Sequence, residues 1–135
     1  MVDALGVPER DRYQVVNSHP AGEIVALDTG LGINRSDQLV IIHVVSRRRT
    51  RAQKEKLYAL LAERLKRDCG LDPADLVVSV SENDDQAWPF GFGRAQFLTG
   101  ELHRALAALA EQGIRGTALN WVLPLHGLAN LAKEE

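Results

Sequence analysis

Four arginines are concentrated at the end of an apolar run in this sequence. Arg47, Arg48, Arg49 and Arg51 closely follow the apolar residues 39–45. Side chains two residues apart on an extended chain point the same way, so Arg47 and Arg49 would project together while Arg48 faces away. Two converging guanidinium groups suit a carboxylate, which they bind through bidentate, charge-assisted hydrogen bonds. The spacing therefore predicts a carboxylate site formed by Arg47 and Arg49, here called the arginine pair.

The arginine pair also precedes a predicted helix N-terminus. Thr50 and Gln53 have the spacing of a capping box, with Thr50 as the N-cap. The helix macrodipole disfavours a cation at this end by roughly 0.3–1 kcal/mol, whereas a bound anion gains from the dipole and from backbone N–H groups. An anion bound at the arginines would relieve this conflict. The alternative that spacing alone leaves open is a solvated basic turn.

The elements that must position the arginines form a strand–helix–strand sequence. Residues 39–45 predict a strand that is apolar enough to be buried on both faces. The predicted helix begins at Thr50 and ends before Gly70, and residues 76–80 predict a second strand. This order, over about forty residues, predicts a βαβ unit with parallel strands. The helix has leucines at helical spacing: Leu57, Leu60, Leu61 and Leu65.

The regions on either side of this unit contain shorter predicted elements. Residues 13–17 and 24–27 are β-prone pieces separated by a turn. Residues 81–100 predict an irregular segment that contains glycines and aromatic residues. Residues 101–112 predict an alanine-rich helix that ends at Gly113.

Composition limits the class of protein. The 135 residues are 45% hydrophobic and 25% charged, with a formal net charge of −2, values typical of one soluble globular domain. This charge argues against general attraction to nucleic acid or an anionic membrane. A single cysteine, Cys69, cannot form an internal disulfide and fits a reducing compartment. With no leader segment and no apolar run of membrane-spanning length, we expect a cytoplasmic protein.

Other candidate motifs favour structural roles. The Asp28-Thr29-Gly30 motif is found in aspartic proteases, but their chemistry needs two aspartates that share a proton, and a glycine-rich turn is the better interpretation. Gly91 and Gly93 form only part of a dinucleotide-binding fingerprint. The histidines lack metal-ligand spacing, and His43, within the first strand, is predicted to be a hydrogen-bonded core residue. We therefore expect no cofactor and no metal.

A set of segments distributed along the chain carries a family resemblance. They are VPERDRYQ at 7–14, residues 23–37 around DTGLG at 28–32, SRRR at 46–49, EN at 82–83, Trp88, FG at 90–91, GRA at 93–95 and FLTG at 97–100. Together they resemble the tautomerase superfamily, in its malonate semialdehyde decarboxylase branch. The resemblance extends from Met1 to about Leu102, in register throughout.

The resemblance implies roles for individual residues. Arg47 and Arg49 match the arginines that bind the substrate carboxylate. Asp11 matches the aspartate that assists decarboxylation or water activation. Trp88 and Phe90 match aromatic residues near the pocket, with core packing as the alternative role. The family fold has two successive βαβ halves and assembles as a trimer, and its catalytic group is the secondary amine of an N-terminal proline.

The sequence also departs from the family pattern. Met1 aligns inside the first helix of the family, so the first strand, most of that helix and the catalytic proline have no counterpart in these residues. Arg48 stands where proline is usual, and Pro89 where serine is usual. The other prolines are likewise internal and have no free amine: Pro8, Pro20, Pro73 and Pro124.

These observations predict an α/β protein with a mixed sheet, an incomplete first βαβ half and an apolar, partly helical C-terminal tail. Residues 1–102 would form a tautomerase-like domain, and residues 103–135 an extension of unknown role. The expected function is tautomerisation, hydration or decarboxylation of a small 3-oxo or enol carboxylate, in a homotrimer if the fold is complete. The alternative is a degenerate, non-catalytic member that binds carboxylates or oligomerises.

Three explanations for the missing proline are open. In the first, the start site is assigned to an internal methionine, and a longer natural protein carries the proline. In the second, the chain is a degenerate member that keeps the carboxylate pocket without catalytic activity. In the third, the segments at 101–112 and 119–125 occupy the missing helix and strand positions, because deleting a sheet strand exposes unpaired backbone and apolar surface.

Overall fold

The computed structural model describes residues 1–111. Its helices and strands are α1 (Val2–Leu5), β1 (Val40–Arg47), α2 (Arg51–Cys69), β2 (Leu76–Asn83) and α3 (Glu101–Glu111), with short 3-10 turns at Pro73–Asp75 and Asp85–Ala87. The predicted end of the last helix at 112–113, the apolar segment 119–125 and most of the predicted extension lie outside the described residues. The boundary at residue 102 stays a prediction.

The chain divides into two compact units. The first unit contains Met1–Arg12 and the described residues from Asp84 onward, and the second unit is Tyr13–Asn83. In the first unit, Leu5, Val7 and Phe97 are buried. In the second, Val44, Leu57 and Leu71 are buried, with Leu57 only 1% exposed. Each unit therefore has apolar residues of its own that are removed from solvent.

The second unit contains the predicted βαβ arrangement. Strands β1 and β2 are parallel, and their register extends from Val40 opposite Leu76 to Arg47 opposite Asn83. Helix α2 connects them, as a parallel pair requires. Within residues 1–111 the sheet consists of these two strands. The arrangement confirms the predicted α/β class. Both strands continue further toward their carboxyl ends than predicted.

Both ends of α2 have the predicted caps. The Thr50 side chain accepts the Gln53 backbone N–H at 3.2 Å, and Gln53 Oε1 accepts the Thr50 backbone N–H at 3.0 Å, which completes a capping box. Gly70 ends the helix in the left-handed conformation, at φ 71°, and its N–H donates to the Lys66 carbonyl. The capping box fixes the start of α2 just after the arginine pair.

Strand β1 is covered on one face, so the predicted burial of both faces is wrong. Val44 and Ser46 are buried, whereas Ile41 and Val45 are each 49% exposed. The pleat sends alternate side chains to opposite faces, and an apolar run cannot by itself reveal how many faces are covered. His43 shares the face of Ile41 and Val45 and is exposed, which contradicts its predicted core position.

The predicted strands at 13–17 and 24–27 are absent; the described chain there has only turns and irregular backbone. Val15, Val16 and Leu27 are 86%, 77% and 83% exposed. β-branched residues favour a strand only where another strand pairs with it, and neither segment joins the sheet described above. The predicted glycine-rich turn is present: the Asp28 carboxylate accepts the backbone N–H groups of Leu31 and Gly32 at 3.2 and 2.8 Å.

A buried carboxylate joins the segments that precede the two strands. Asp75 is 4% exposed and accepts both the backbone N–H and the hydroxyl of Ser36, each at 2.6 Å. The Ser36 hydroxyl, then the Ser36 N–H, and to a smaller extent the charge of Arg35 lower the pKa of Asp75. Arg35 also donates to the Ala74 carbonyl. These contacts hold the loop before β1 against the turn before β2.

No helix within residues 1–111 combines the length and the apolar character needed to cross a membrane.

Replacing Asp75 with asparagine should lower the melting temperature at pH 7 by several degrees, because an amide cannot accept both Ser36 contacts as a carboxylate does. The Asp75 pKa is lowered in the folded state, so its stabilisation is complete above the unfolded value of about 3.9 and is lost as the pH falls through the lower folded value. Thermal unfolding from pH 7 down to 2.5 should show the two proteins converging in acid. Asp37→Asn, at an exposed loop position, is the matched control, and an equal effect of both substitutions would contradict the assignment.

Candidate functional site

The arginine pair lies where β1 ends and α2 begins. Arg47 is the last residue of β1, opposite Asn83, and Arg49 lies in the turn just before the Thr50 cap. Since the strand stops at Arg47, the alternation used to predict convergence does not extend to Arg49. Instead, Arg49 Nε donates to the Ser46 hydroxyl at 2.8 Å, and Ser46 lies on the buried face of β1. Binding of one carboxylate by both arginines stays a prediction.

Glu82, which the sequence singles out only through the family resemblance, lies beside this turn. Glu82 is opposite Ser46 in the ladder. Glu82 Oε1 accepts the Arg49 backbone N–H at 2.8 Å and Lys54 Nζ at 2.9 Å. The Lys54 ammonium, followed by the Arg49 N–H, lowers the pKa of Glu82, and the charge of Arg48 adds to the effect. An ionised carboxylate of the protein therefore lies among these cations.

The backbone N–H groups at the start of α2 are already partly used. The Arg49 N–H donates to Glu82, the Thr50 N–H to Gln53, and the Gln53 N–H to Thr50. The Thr50 and Gln53 N–H groups are among those that a helix N-terminus leaves without intrahelical partners, and the capping box satisfies both; the Arg49 N–H lies just outside the helix. An anion at the turn would thus depend on the guanidinium groups more than on these N–H groups, which refines the prediction from helix chemistry.

The aromatic residues of the predicted site form a cluster in the first unit. Trp88 and Phe90 are stacked, with ring centroids 5.9 Å apart and an interplanar angle of 15°. Phe90 also contacts Phe97, at 5.6 Å and 54°, and Phe97 is 6% exposed. The sequence places Phe97 in the FLTG motif but gives no sign that its ring joins this cluster. Phe90 therefore contacts both the half-buried Trp88 and the buried Phe97.

Gln96 holds the backbone that carries Phe90. Its Oε1 accepts the Phe90 N–H at 2.9 Å, and its Nε2 donates to the Gly91 carbonyl at 3.0 Å. Both amide atoms of one side chain are thereby used on adjacent residues, which fixes the turn from which the Phe90 ring projects. Sequence reasoning did not identify Gln96, because a glutamine six residues from its partner has no distinctive local pattern.

Asp11 lies in a turn of the first unit. Its backbone N–H donates to the Pro8 carbonyl at 3.0 Å, and the residue is half-buried. The predicted site residues thus fall into two groups. Asp11, Trp88 and Phe90 belong to the first unit, and Arg47 and Arg49 to the second. Their assembly into one site stays a prediction.

Within residues 1–111, no group of three or more histidine, cysteine, aspartate or glutamate side chains is arranged to hold a metal ion. Cys69 is a free thiol and is exposed.

Comparison with known proteins establishes the family. The family described as tautomerase enzyme matches residues 11–91. The probable tautomerase YrdN of Bacillus subtilis (strain 168) is 51% identical over 102 residues, which cover 76% of this chain and 79% of YrdN. The probable tautomerase YusQ of the same organism is 33% identical over 99 residues, covering 73% of this chain and 78% of YusQ.

Solved structures agree with this assignment. Malonate semialdehyde decarboxylase, whose wild-type, mutant and inactivated structures were used to explain decarboxylase and hydratase activities, is 53% identical with a TM-score of 0.70. The match covers 74% of this chain and 78% of that one. FG41 malonate semialdehyde decarboxylase, inhibited by 3-bromopropiolate, is 40% identical with a TM-score of 0.70, covering 74% and 76%. The chain belongs to the tautomerase superfamily, in its malonate semialdehyde decarboxylase-like branch.

Replacing Gln96 with leucine should destabilise the protein by about 1–3 kcal/mol, since two hydrogen bonds of about 0.5–1.5 kcal/mol each are lost. Chemical denaturation measures this loss, and near-ultraviolet circular dichroism reports the accompanying change around Trp88 and Phe90. Gln86→Leu provides the matched control at an exposed position. A Gln96→Leu protein as stable as the control would show that this side chain does not hold the turn.

Proposed function

We propose that this chain acts on, or binds, a small 3-oxo or enol carboxylate, through tautomerisation, hydration or decarboxylation. The observation that carries the proposal is the arginine pair at the carboxyl end of β1, in a chain that belongs to the tautomerase superfamily. Decarboxylase and hydratase activities are attributed to malonate semialdehyde decarboxylase, the relative that matches 74% of this chain.

The guanidinium groups of the arginine pair are suited to binding a carboxylate. A guanidinium group is planar, always charged and presents a fork of N–H donors that fits a carboxylate. Arg49 already has its Nε bound to Ser46, so its orientation is restricted before any ligand arrives. Arg47 is carried by the last paired position of β1. Two such groups favour a substrate with at least one carboxylate, held while a neighbouring carbon reacts.

The remaining predicted residues would complete the reaction. Asp11 is proposed to act on water or on the catalytic amine, in accordance with its match to the family aspartate. Trp88 and Phe90 are proposed to pack against the carbon skeleton of the substrate, and their stacked rings supply a flat apolar surface. The amine would be that of an N-terminal proline, a fixed secondary amine whose pKa burial and nearby cations can lower.

A homotrimer is proposed for the assembled protein. Support comes from the apolar side chains exposed along residues 13–34, which include Val15, Leu27 and Leu31 at 86%, 83% and 75%. Large exposed apolar surfaces commonly mark protein interfaces. The single cysteine supports a reducing compartment such as the cytoplasm.

Activity should be assayed in two forms of the protein, the 135-residue chain and a chain extended upstream to begin with proline. Malonate semialdehyde and an enolpyruvate are the test substrates, and 3-bromopropiolate, which inhibits one relative, tests the same site by inhibition. Turnover is expected in the extended form. Carboxylate binding without turnover in either form would favour the non-catalytic alternative, and efficient turnover by the short form would contradict the proline mechanism. A chain that neither binds nor converts a carboxylate would overturn the proposal.

Replacing Arg47 or Arg49 with methionine should weaken binding of malonate roughly 10- to 150-fold, because each loses charge-assisted hydrogen bonds of about 1.5–3 kcal/mol. Isothermal titration calorimetry measures the dissociation constant directly and does not require turnover. Arg51→Met is the matched control, since that side chain is 92% exposed and pairs with Glu55. Equal effects at all three positions would indicate general electrostatic attraction instead of a site.

A further inference from the structure

Ser46 is a buried polar residue whose hydroxyl is used twice at the arginine pair. It is 6% exposed. Its Oγ donates to the Arg47 carbonyl at 2.9 Å and accepts Arg49 Nε at 2.8 Å. One hydroxyl thus contacts the backbone of the first arginine and the side chain of the second. Neither contact is needed to form β1, whose ladder is made by backbone groups.

The contact with Ser46 restricts the Arg49 guanidinium. The Nε–H bond lies in the plane of the guanidinium group, so an acceptor that receives it sets both the plane and the direction of the fork. A bidentate contact with a carboxylate depends on that plane. Without Ser46, the long arginine side chain regains rotamer freedom and must be ordered when the ligand binds.

Glu82 restricts the backbone of the same residue. Glu82 Oε1 accepts the Arg49 N–H at 2.8 Å, and Lys54 Nζ contacts the same oxygen at 2.9 Å. The side chains of Glu82 and Lys54 are only 27% and 30% exposed. The ladder sets Ser46 opposite Glu82, so adjacent positions on the two strands hold Arg49 at its main chain and at its side chain.

We propose that Ser46 and Glu82 are positioning residues for Arg49, with Ser46 orienting the guanidinium group and Glu82 fixing the backbone from which it projects. The consequence for ligand binding rests on the proposed function, whereas the restriction of Arg49 in the free protein does not. The ligand class is the same small carboxylate.

The positioning role can be tested because it and a purely electrostatic role predict opposite changes in anion affinity when the Glu82 carboxylate is removed. If the carboxylate acted only through its charge, removing it would raise the positive potential around the arginines and strengthen anion binding. If it acts by holding the Arg49 N–H, removing the acceptor must weaken binding. Glutamine keeps an oxygen acceptor without the charge, and leucine keeps neither.

The experiment compares Ser46→Ala, Glu82→Leu and Glu82→Gln in the full chain, with malonate as the probe in isothermal titration calorimetry. Ser46→Ala and Glu82→Leu should each weaken binding by about tenfold, as expected for the loss of one positioning hydrogen bond. Glu82→Gln should bind at least as tightly as the wild type. Glu55→Leu, which removes a carboxylate from an exposed ion pair on α2, should change the dissociation constant by less than about twofold.

A second measurement follows the Arg49 Nε–H resonance by nitrogen-15 NMR in the free proteins. Slow hydrogen exchange is expected in the wild type and in Glu55→Leu, and faster exchange in Ser46→Ala. Equal tightening by Glu82→Leu and Glu82→Gln, or unchanged exchange in Ser46→Ala, would overturn the positioning roles.

If the wild type does not bind malonate, the proposed function fails, and the exchange rates alone then decide whether Ser46 restricts Arg49. Circular dichroism on each variant identifies any that fail to fold, and Glu82→Gln, which keeps the acceptor, serves as the conservative variant.

Discussion

The parallel register of β1 and β2 is the constraint on which the arrangement around the arginine pair depends. It sets Ser46 opposite Glu82 and Arg47 opposite Asn83, and parallel strands bring their carboxyl ends to the same edge. Since α2 begins at Arg51, the turn that carries Arg49 must leave from that edge as well. A one-residue shift in register would move the Glu82 side chain to the other face of the sheet, and the Arg49 N–H would lose its acceptor.

At both ends of the two strands, an acidic side chain accepts a backbone N–H from a neighbouring loop. Before β2, the buried Asp75 accepts the Ser36 N–H from the loop that leads into β1. At the end of β2, Glu82 accepts the Arg49 N–H from the turn that leads into α2. A two-stranded sheet has little packing surface of its own, and here each end is held by an acidic side chain from the β2 side. The lowered pKa of each carboxyl reflects these contacts.

Local signals in the sequence were sufficient for the βαβ unit, since the capping box at Thr50 and the left-handed cap at Gly70 act within a few residues. The contacts of Ser36 with Asp75 and of Arg49 with Glu82 join residues 39 and 33 positions apart, and no short pattern encodes them. Propensity also failed at residues 13–17 and 24–27, because a strand needs a partner that composition does not reveal. The arginines could be found from their spacing, but the orientation of Arg49 could not, because alternation ends with the strand.

The contact between Arg49 and Ser46 helps to distinguish a carboxylate site from a solvated basic turn, the alternative that the arginine spacing leaves open. Ordering an arginine side chain costs up to about 2 kcal/mol of conformational free energy, whereas a hydrogen bond from a charged donor contributes about 1.5–3 kcal/mol. The hydrogen bond is therefore strong enough to keep the Arg49 side chain ordered in the free protein. Its main effect is to incur the ordering cost during folding instead of at ligand binding, which is how preorganised sites gain affinity. This preorganisation is what the proposed binding role of Arg49 would require.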